Sequence, residues 1–165
     1  MAHPATRARR AIPKAVAIYF SSLAQNGTMK SGVVLHEVKM RTLIVDDSSL
    51  MRKMIERALR LAGLNMDEVL QAGNGEEALN VLRTETTNGL VLNLIISDIN
   101  MPVMDGLQFL EQRQKENLAQ GVPVIMVTTE GSEAFVRRAI AAGAMGYICK
   151  PFIPDQIRAK IQHLL

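Results

Sequence analysis

Only one cysteine, Cys149, occurs in the 165 residues, so the chain holds no internal disulfide framework and suits a reducing compartment. Apolar runs are short. None approaches the roughly eighteen residues a membrane-spanning helix needs. Histidine is also scarce: His3, His36 and His163 are all that exist, and none lies near the strand ends described below. Any chemistry there that needs an imidazole must take it from another protein. Excess positive charge is missing from the part that reads as globular. Residues 1–40 carry six Lys/Arg against Glu37, a net +5, whereas residues 41–165 carry 13 basic and 15 acidic side chains, a net −2. The basic pI therefore belongs to the amino-terminal segment, and nucleic-acid binding by the rest has no compositional support.

From Arg41 onward, short apolar runs alternate with helical patterns. RTLIV, EVLQA, LNLIISD, VPVIMV and GYICK read as five strands, several apolar on both faces as a buried parallel sheet requires. The segments beginning SLMRKM, NGEEAL, DGLQFL, SEAFVR and PDQIRA read as helices, with apolar residues three and four apart; Leu50, Met54, Ala58 and Leu61 mark the expected inward stripe of the first. Alternation of this kind implies a doubly wound α/β fold, a five-stranded parallel sheet with helices on both faces. Ligands in such folds bind beyond the carboxyl ends of the strands.

Those ends carry Asp46 and Asp47, Asp98, Thr128 and Thr129, and Lys150. Adjacent acids closing a buried strand are costly: at about 4 Å and an effective dielectric near 20, like charges repel by roughly 4 kcal/mol. Asp47 or Ser48 as a helix cap explains one polar residue there and leaves Asp46 unexplained. Lys150 alone does not neutralise three carboxylates in a partly dry cleft. A hard divalent cation such as Mg²⁺, which takes one or two carboxylates and shares a phosphate, does. Metal, carboxylate, hydroxyl and amine together suit phosphoryl transfer, in which an Asp carboxylate can itself be the acceptor.

The runs 42-TLIVDDSSLMRKM-54, 95-IISDINMPVMDGLQFL-110, 124-VIMVTTEG-131 and 143-GAMGYICKPF-152 resemble, in order and spacing, the receiver domains of two-component response regulators. The likeness covers residues 41–165 and is nearest to the stand-alone chemotaxis regulators. It implies a flavodoxin-like strand order 2-1-3-4-5, with Asp98 as phosphoacceptor and Mg²⁺ held by Asp46, Asp47, Asp98 and the backbone carbonyl of Asn100. It further implies that Thr128 is the switch hydroxyl, that Lys150 pairs with the phosphoryl group, that Tyr147 turns with Thr128, and that the Lys150–Pro151 bond is cis. Where the family usually has a small residue after the switch hydroxyl this chain has Thr129, whose bulk would hinder the water that hydrolyses the acyl phosphate.

The implied protein is a cytoplasmic, single-domain signalling phosphoprotein that catalyses its own phosphotransfer and slow dephosphorylation. A histidine kinase is the donor, a flagellar motor switch protein or another downstream protein the target, and a phosphatase a further partner; nucleic acid and membrane are not expected. A phosphorelay or stress-signalling adaptor is the alternative within the family. An aspartate-nucleophile phosphohydrolase is the alternative outside it, but it resembles a DxD arrangement and this chain has Asn100 at the second acid. A flavin module would set its phosphate against the acidic DDSS turn.

Plainer roles are expected for other residues. Met101, Pro102, Asp105 and Gly106 shape a loop and start a helix, Cys149 is buried core, and Arg137 and Arg138 are solvated. The first 39 residues, with a basic start and the short apolar run Ala15–Phe20, only loosely imitate a secretory signal. They are expected to be a disordered extension or translation from upstream of a true start at Met40, with the receiver spanning 40–165.

Overall fold

A computed structural model of the chain describes residues 40–129 and 131–162. The expectations for residues 1–39 lie outside the described residues. Five strands alternate with five helices: β1 (Met40–Val45), α1 (Ser49–Leu61), β2 (Met66–Ala72), α2 (Gly75–Thr87), β3 (Leu94–Ser97), α3 (Gly106–Lys115), β4 (Val124–Thr128), α4 (Glu133–Ala141), β5 (Gly146–Cys149) and α5 (Pro154–Gln162). The strands form one parallel sheet in the order β2-β1-β3-β4-β5. This is the order the motif resemblance implies, and the strands fall where the apolar runs predict, within two residues at most ends.

Central strands β1, β3 and β4 are buried along almost their whole length, which is why their sequences are apolar at successive rather than alternate positions. Leu43, Val45, Ile95, Val124 and Met126 face a core shared with α2, α3 and α4. Ile44, Ile96, Ile125 and Val127 face the other core, closed by Ile55 and Leu59 of α1 and Ile157 and Ile161 of α5. Each such side chain removed from water contributes about 1.5–3 kcal/mol, so the two cores hold the strand ends in fixed relation.

The helices start at local signals. Ser48 caps α1, its hydroxyl accepting from Met51 N–H; Asn74 caps α2 by accepting from Glu77 N–H; Asp105 and Gln108 form a reciprocal capping box at α3. Gly63, at φ +93°, follows α1 in a conformation that side-chain-bearing residues avoid. Among the described residues no helix is long and apolar enough to cross a membrane.

The inward face of α1 differs from expectation. Leu50, Met54 and Leu61 are 66%, 51% and 58% exposed; of the expected stripe only Ala58 is buried, together with Ile55 and Leu59. Apolar residues fill two neighbouring stripes of this helix, and periodicity cannot say which of them meets the sheet. Both stripes satisfy the three- and four-residue spacing; only the sheet's position decides.

Gly106 has a more exacting role than opening a helix. A Cβ there would lie 2.0 Å from the Asp98 carbonyl oxygen and 2.9 Å from Ile99 Cα, and the glycine N–H donates to Ile99 O at 2.8 Å. The α3 backbone therefore packs directly against Asp98, the residue that follows β3. Gly106→Ala should destabilise the protein by about 1–3 kcal/mol, the cost of overpacking against an immovable backbone, read as a lowered denaturant midpoint. An unchanged midpoint would show that the β3–α3 junction yields without cost.

Candidate functional site

The strand order brings Asp46 and Asp98 together because β1 and β3 are neighbours: Asp98 N–H donates to Val45 O at 2.8 Å, continuing the ladder that pairs Val45 with Ser97. Asp46 is buried and held on three sides. Its N–H donates to Ala72 O at 3.1 Å, its Oδ1 accepts from Ser48 N–H at 2.9 Å, and its Oδ2 accepts from Lys150 Nζ at 2.6 Å. Asp98 is likewise buried, with Oδ1 accepting from Ile99 N–H at 2.7 Å and Oδ2 from Lys150 Nζ at 3.0 Å. One ammonium thus bridges two carboxylates from different strands. Burial opposes the charge on Lys150, but the hydrogen bonds and attraction of Asp46 and Asp98 outweigh it and hold the ammonium above the ordinary lysine range. The lysine therefore stays a cation across physiological pH.

Asp47 is exposed, and among the described residues no side chain partners its carboxylate. One oxygen each of Asp46, Asp47 and Asp98 lie within 4.8 Å of one another. Three carboxylate oxygens at that spacing, with a single ammonium against three negative charges, fit a hard divalent cation that completes its shell with water and carbonyl oxygen. Asn100, the fourth expected ligand, lies in the loop two residues beyond Asp98 with its side chain exposed.

Thr128 ends β4 fully buried, and its carbonyl accepts from Lys150 N–H at 2.9 Å. Thr129 is exposed beside it. Tyr147, half-buried, packs against the core shared with α2, α3 and α4. Met126 is the register partner of Tyr147 and Thr128 that of Cys149, so by strand alternation Thr128 and Tyr147 are diagonal neighbours on one face. The Lys150–Pro151 bond is cis. Arg137 and Arg138 are exposed, Arg137 paired with Glu133 and Arg138 set over the Phe135 ring.

Cys149 contradicts its expected place in the core: it is exposed. It does share a face with Tyr147, but it is the last residue of an edge strand. There the neighbour is the β4–α4 turn, with a Cβ on Gly131 falling 3.3 Å from Cys149 Sγ, rather than a packed helix. Sequence reasoning also missed Arg52 on α1 and Gln71 on β2, which brace the acidic turn: Arg52 Nη1 donates to the Asp46 carbonyl at 2.7 Å and Nε to Gln71 Oε1 at 2.9 Å. An arginine within the first turn after an acidic pair is the only trace such a brace leaves in a sequence.

Comparison with known proteins agrees with the geometry. The family model for the response regulator receiver domain matches residues 42–162. A chemotaxis protein CheY homolog of Campylobacter jejuni is 40% identical over 126 residues, 76% of this chain and 92% of that protein. Chemotaxis protein CheY1 of Helicobacter pylori is 38% identical, over 76% of this chain and 97% of its own. Among solved structures, Vibrio cholerae CheY4 superposes with a TM-score of 0.63 at 35% identity, covering 77% of this chain and 99% of that one. CheY in a complex with CheX, BeF3 and Mg²⁺ from Borrelia burgdorferi gives 0.65 at 27% identity, covering 76% and 88%.

Because the carboxylates outnumber the ammonium, the metal-free site should cost stability. Asp47→Asn is expected to raise the thermal midpoint in chelator-treated buffer, and only slightly, since Asp47 is exposed and screened. Adding MgCl2 should then raise the midpoint of the native chain more than that of the variant. Equal responses to Mg²⁺ would remove Asp47 from the metal site.

Proposed function

The chain belongs to the response regulator receiver family, and we propose that it is a cytoplasmic chemotaxis regulator switched by phosphorylation of Asp98. The observation that carries this reading is the pairing of Asp98 with Lys150 and Asp46, beside Asp47, at the carboxyl edge of a matched receiver sheet.

The donor is a phosphohistidine on a separate kinase, since no histidine occurs among the described residues that build the site. An Asp98 carboxylate oxygen attacks the phosphorus, the P–N bond breaks, and the leaving imidazole nitrogen keeps the bonding pair and later takes a proton; the product is an acyl phosphate on Asp98. Asp46, Asp47, Asp98 and the Asn100 carbonyl would hold Mg²⁺, which when bound would supply neutralisation of the charge gathered by the carboxylates and the incoming phosphoryl group. Lys150 supplies a fixed positive charge, and its bond to Asp98 Oδ2, with the ammonium anchored by its second bond to Asp46, restrains rotation of the Asp98 carboxylate. Hydrolysis of the acyl phosphate is slow because no acid stands at position 100 to assist it, and because Thr129 crowds the approach of water.

Output follows from the Thr128 hydroxyl, which turns to donate to the new phosphoryl oxygens. Tyr147, its diagonal neighbour, moves into the space released, which shifts an existing two-state balance on the face formed by α4, β5 and α5. A segment of the flagellar motor switch is the target that reads this face, in keeping with the chemotaxis names of the relatives. A phosphatase is the expected means of ending the signal.

Asp98 should accept phosphate from a small acyl phosphate or phosphoramidate only with Mg²⁺ present, and Asp98→Asn should form no alkali-labile adduct. Labelling that persists in the variant, or that ignores a chelator, would remove Asp98 as acceptor.

Thr128→Ala should keep phosphorylation but lose most of the phosphate-dependent gain in affinity for a motor-switch peptide, measured by titration of the phosphorylated and unmodified forms. If the native chain binds such peptides equally in both forms, the motor is not its target and a phosphorelay partner takes its place.

A further inference from the structure

Asp46 and Asp47 are neighbours in the chain but are held very differently. The Asp46 amide, Oδ1 and Oδ2 each have a partner, in Ala72, Ser48 and Lys150. The Asp47 carboxylate points to solvent with none among the described residues. Left alone, an exposed carboxylate samples several rotamers, and fixing it on a metal would cost that freedom. What remains to constrain it is the peptide plane from which it springs.

That plane contains the Asp46 carbonyl and the Asp47 amide, and the carbonyl is held by Arg52. The guanidinium makes two bonds at once: Nη1 to Asp46 O at 2.7 Å and Nε to Gln71 Oε1 at 2.9 Å. Its backbone is anchored too, with Arg52 N–H donating to Ser48 O at 3.0 Å in the first turn of α1. The three contacts close a small ring around the acidic turn and tie it to β2. We propose that Arg52 is a positioning residue for the divalent cation, fixing the Asp46–Asp47 peptide so that the exposed Asp47 carboxylate is already set where a metal shared with Asp46 and Asp98 needs it.

The inference rests on the Mg²⁺ reading above and adds a sign that simple electrostatics gets wrong. Arg52 is a positive charge close to a cation site. If charge were all that mattered, removing it would tighten Mg²⁺ binding. If it positions a ligand, removing it weakens binding, on the scale of about tenfold found for groups that orient metal ligands. Lysine separates the two: it keeps the charge but not the planar fork that reaches a carbonyl and an amide oxygen together.

Calorimetric titration of the full chain with MgCl2 at fixed ionic strength tests this, using Arg52→Gln, Arg52→Lys, Gln71→Leu and, as a charge control, Lys53→Gln. Lys53 is exposed on the next position of the same helix. Both Arg52 variants should bind Mg²⁺ about tenfold more weakly. Gln71→Leu should weaken it by less, since the carbonyl bond survives, and Lys53→Gln should bind as tightly as the native chain or more so. At saturating Mg²⁺ the Arg52→Lys variant should regain the native maximal rate of phosphoryl acceptance, the loss being confined to the Mg²⁺ concentration required. Far-UV circular dichroism checks folding, and if Arg52→Gln fails to fold, Arg52→Lys and Gln71→Leu decide. Unchanged or tighter Mg²⁺ binding in Arg52→Lys, with a native chain that binds normally, would overturn the proposal alone. A native chain that binds no Mg²⁺ would overturn the metal reading and this proposal with it.

Discussion

The Lys150 ammonium, bonded to both Asp46 and Asp98, is the contact on which the rest of the site depends. It joins residues 104 and 52 positions apart in sequence, so it exists only once the whole sheet has formed. The strand order explains why a lysine is needed. β1 and β3 are adjacent, so their terminal aspartates meet directly, but β5 stands beyond β4. A group on β5 must cross about two strand spacings, roughly 10 Å, to reach the end of β3. A long flexible stem with a compact charge suits that reach, and Lys150 keeps its proton there because the two carboxylates it joins outweigh the cost of its burial. Without it, two buried acids would face each other with only backbone N–H groups to offset them.

This dependence also accounts for the uneven packing around the site. On the acid side almost every group is tied: Asp46 by its three partners, its carbonyl by Arg52, and α1 by the Ser48 cap. Such saturation is what a cluster of like charges demands, since a carboxylate free to turn away from its neighbours would do so and the site would be lost. The stability given up to charge repulsion is recovered in the two apolar layers beneath, where β1, β3 and β4 contribute side chains to both faces.

Much of this was legible in the sequence, and the reasons differ between parts. Strand ends were readable because buried strands are apolar throughout and stop abruptly at a polar residue; Asp46, Asp98, Thr128 and Lys150 each mark such a stop. The face of α1 was not readable, because Leu50, Met54 and Leu61 satisfy the same spacing as Ile55, Ala58 and Leu59 and only the sheet distinguishes them. Cys149 misled for a related reason: alternation gives the direction of a side chain but not whether anything lies in that direction at the tip of an edge strand. Gly106 and Arg52 act through backbone atoms, Asp98 O and Asp46 O, and contacts to backbone leave no complementary residue type for a sequence to show.

The same unevenness bears on where a signal can travel. A dianionic group added at Asp98, as proposed, would sit at the middle of the sheet and would have to be accommodated on one side or the other. Toward β1 the contacts are saturated. Beyond β4, which is itself buried throughout, they thin out at α4: that helix buries only Ala139 among its nine residues, and its cap Ser132 makes no side-chain bond to the helix, whereas α3 buries Phe109 and four others and carries a full capping box. Regions with few buried apolar contacts open at low free-energy cost, and the low-stability end of a fold is where conformational change is drawn from. Thr128 lies at the border between the two halves, fully buried, with Tyr147 diagonal to it on the lightly held side. Rigidity around the acids would thus give the proposed response a direction: a disturbance at Asp98 that cannot spread into β1 and α1 would pass across the end of β4 to α4 and β5.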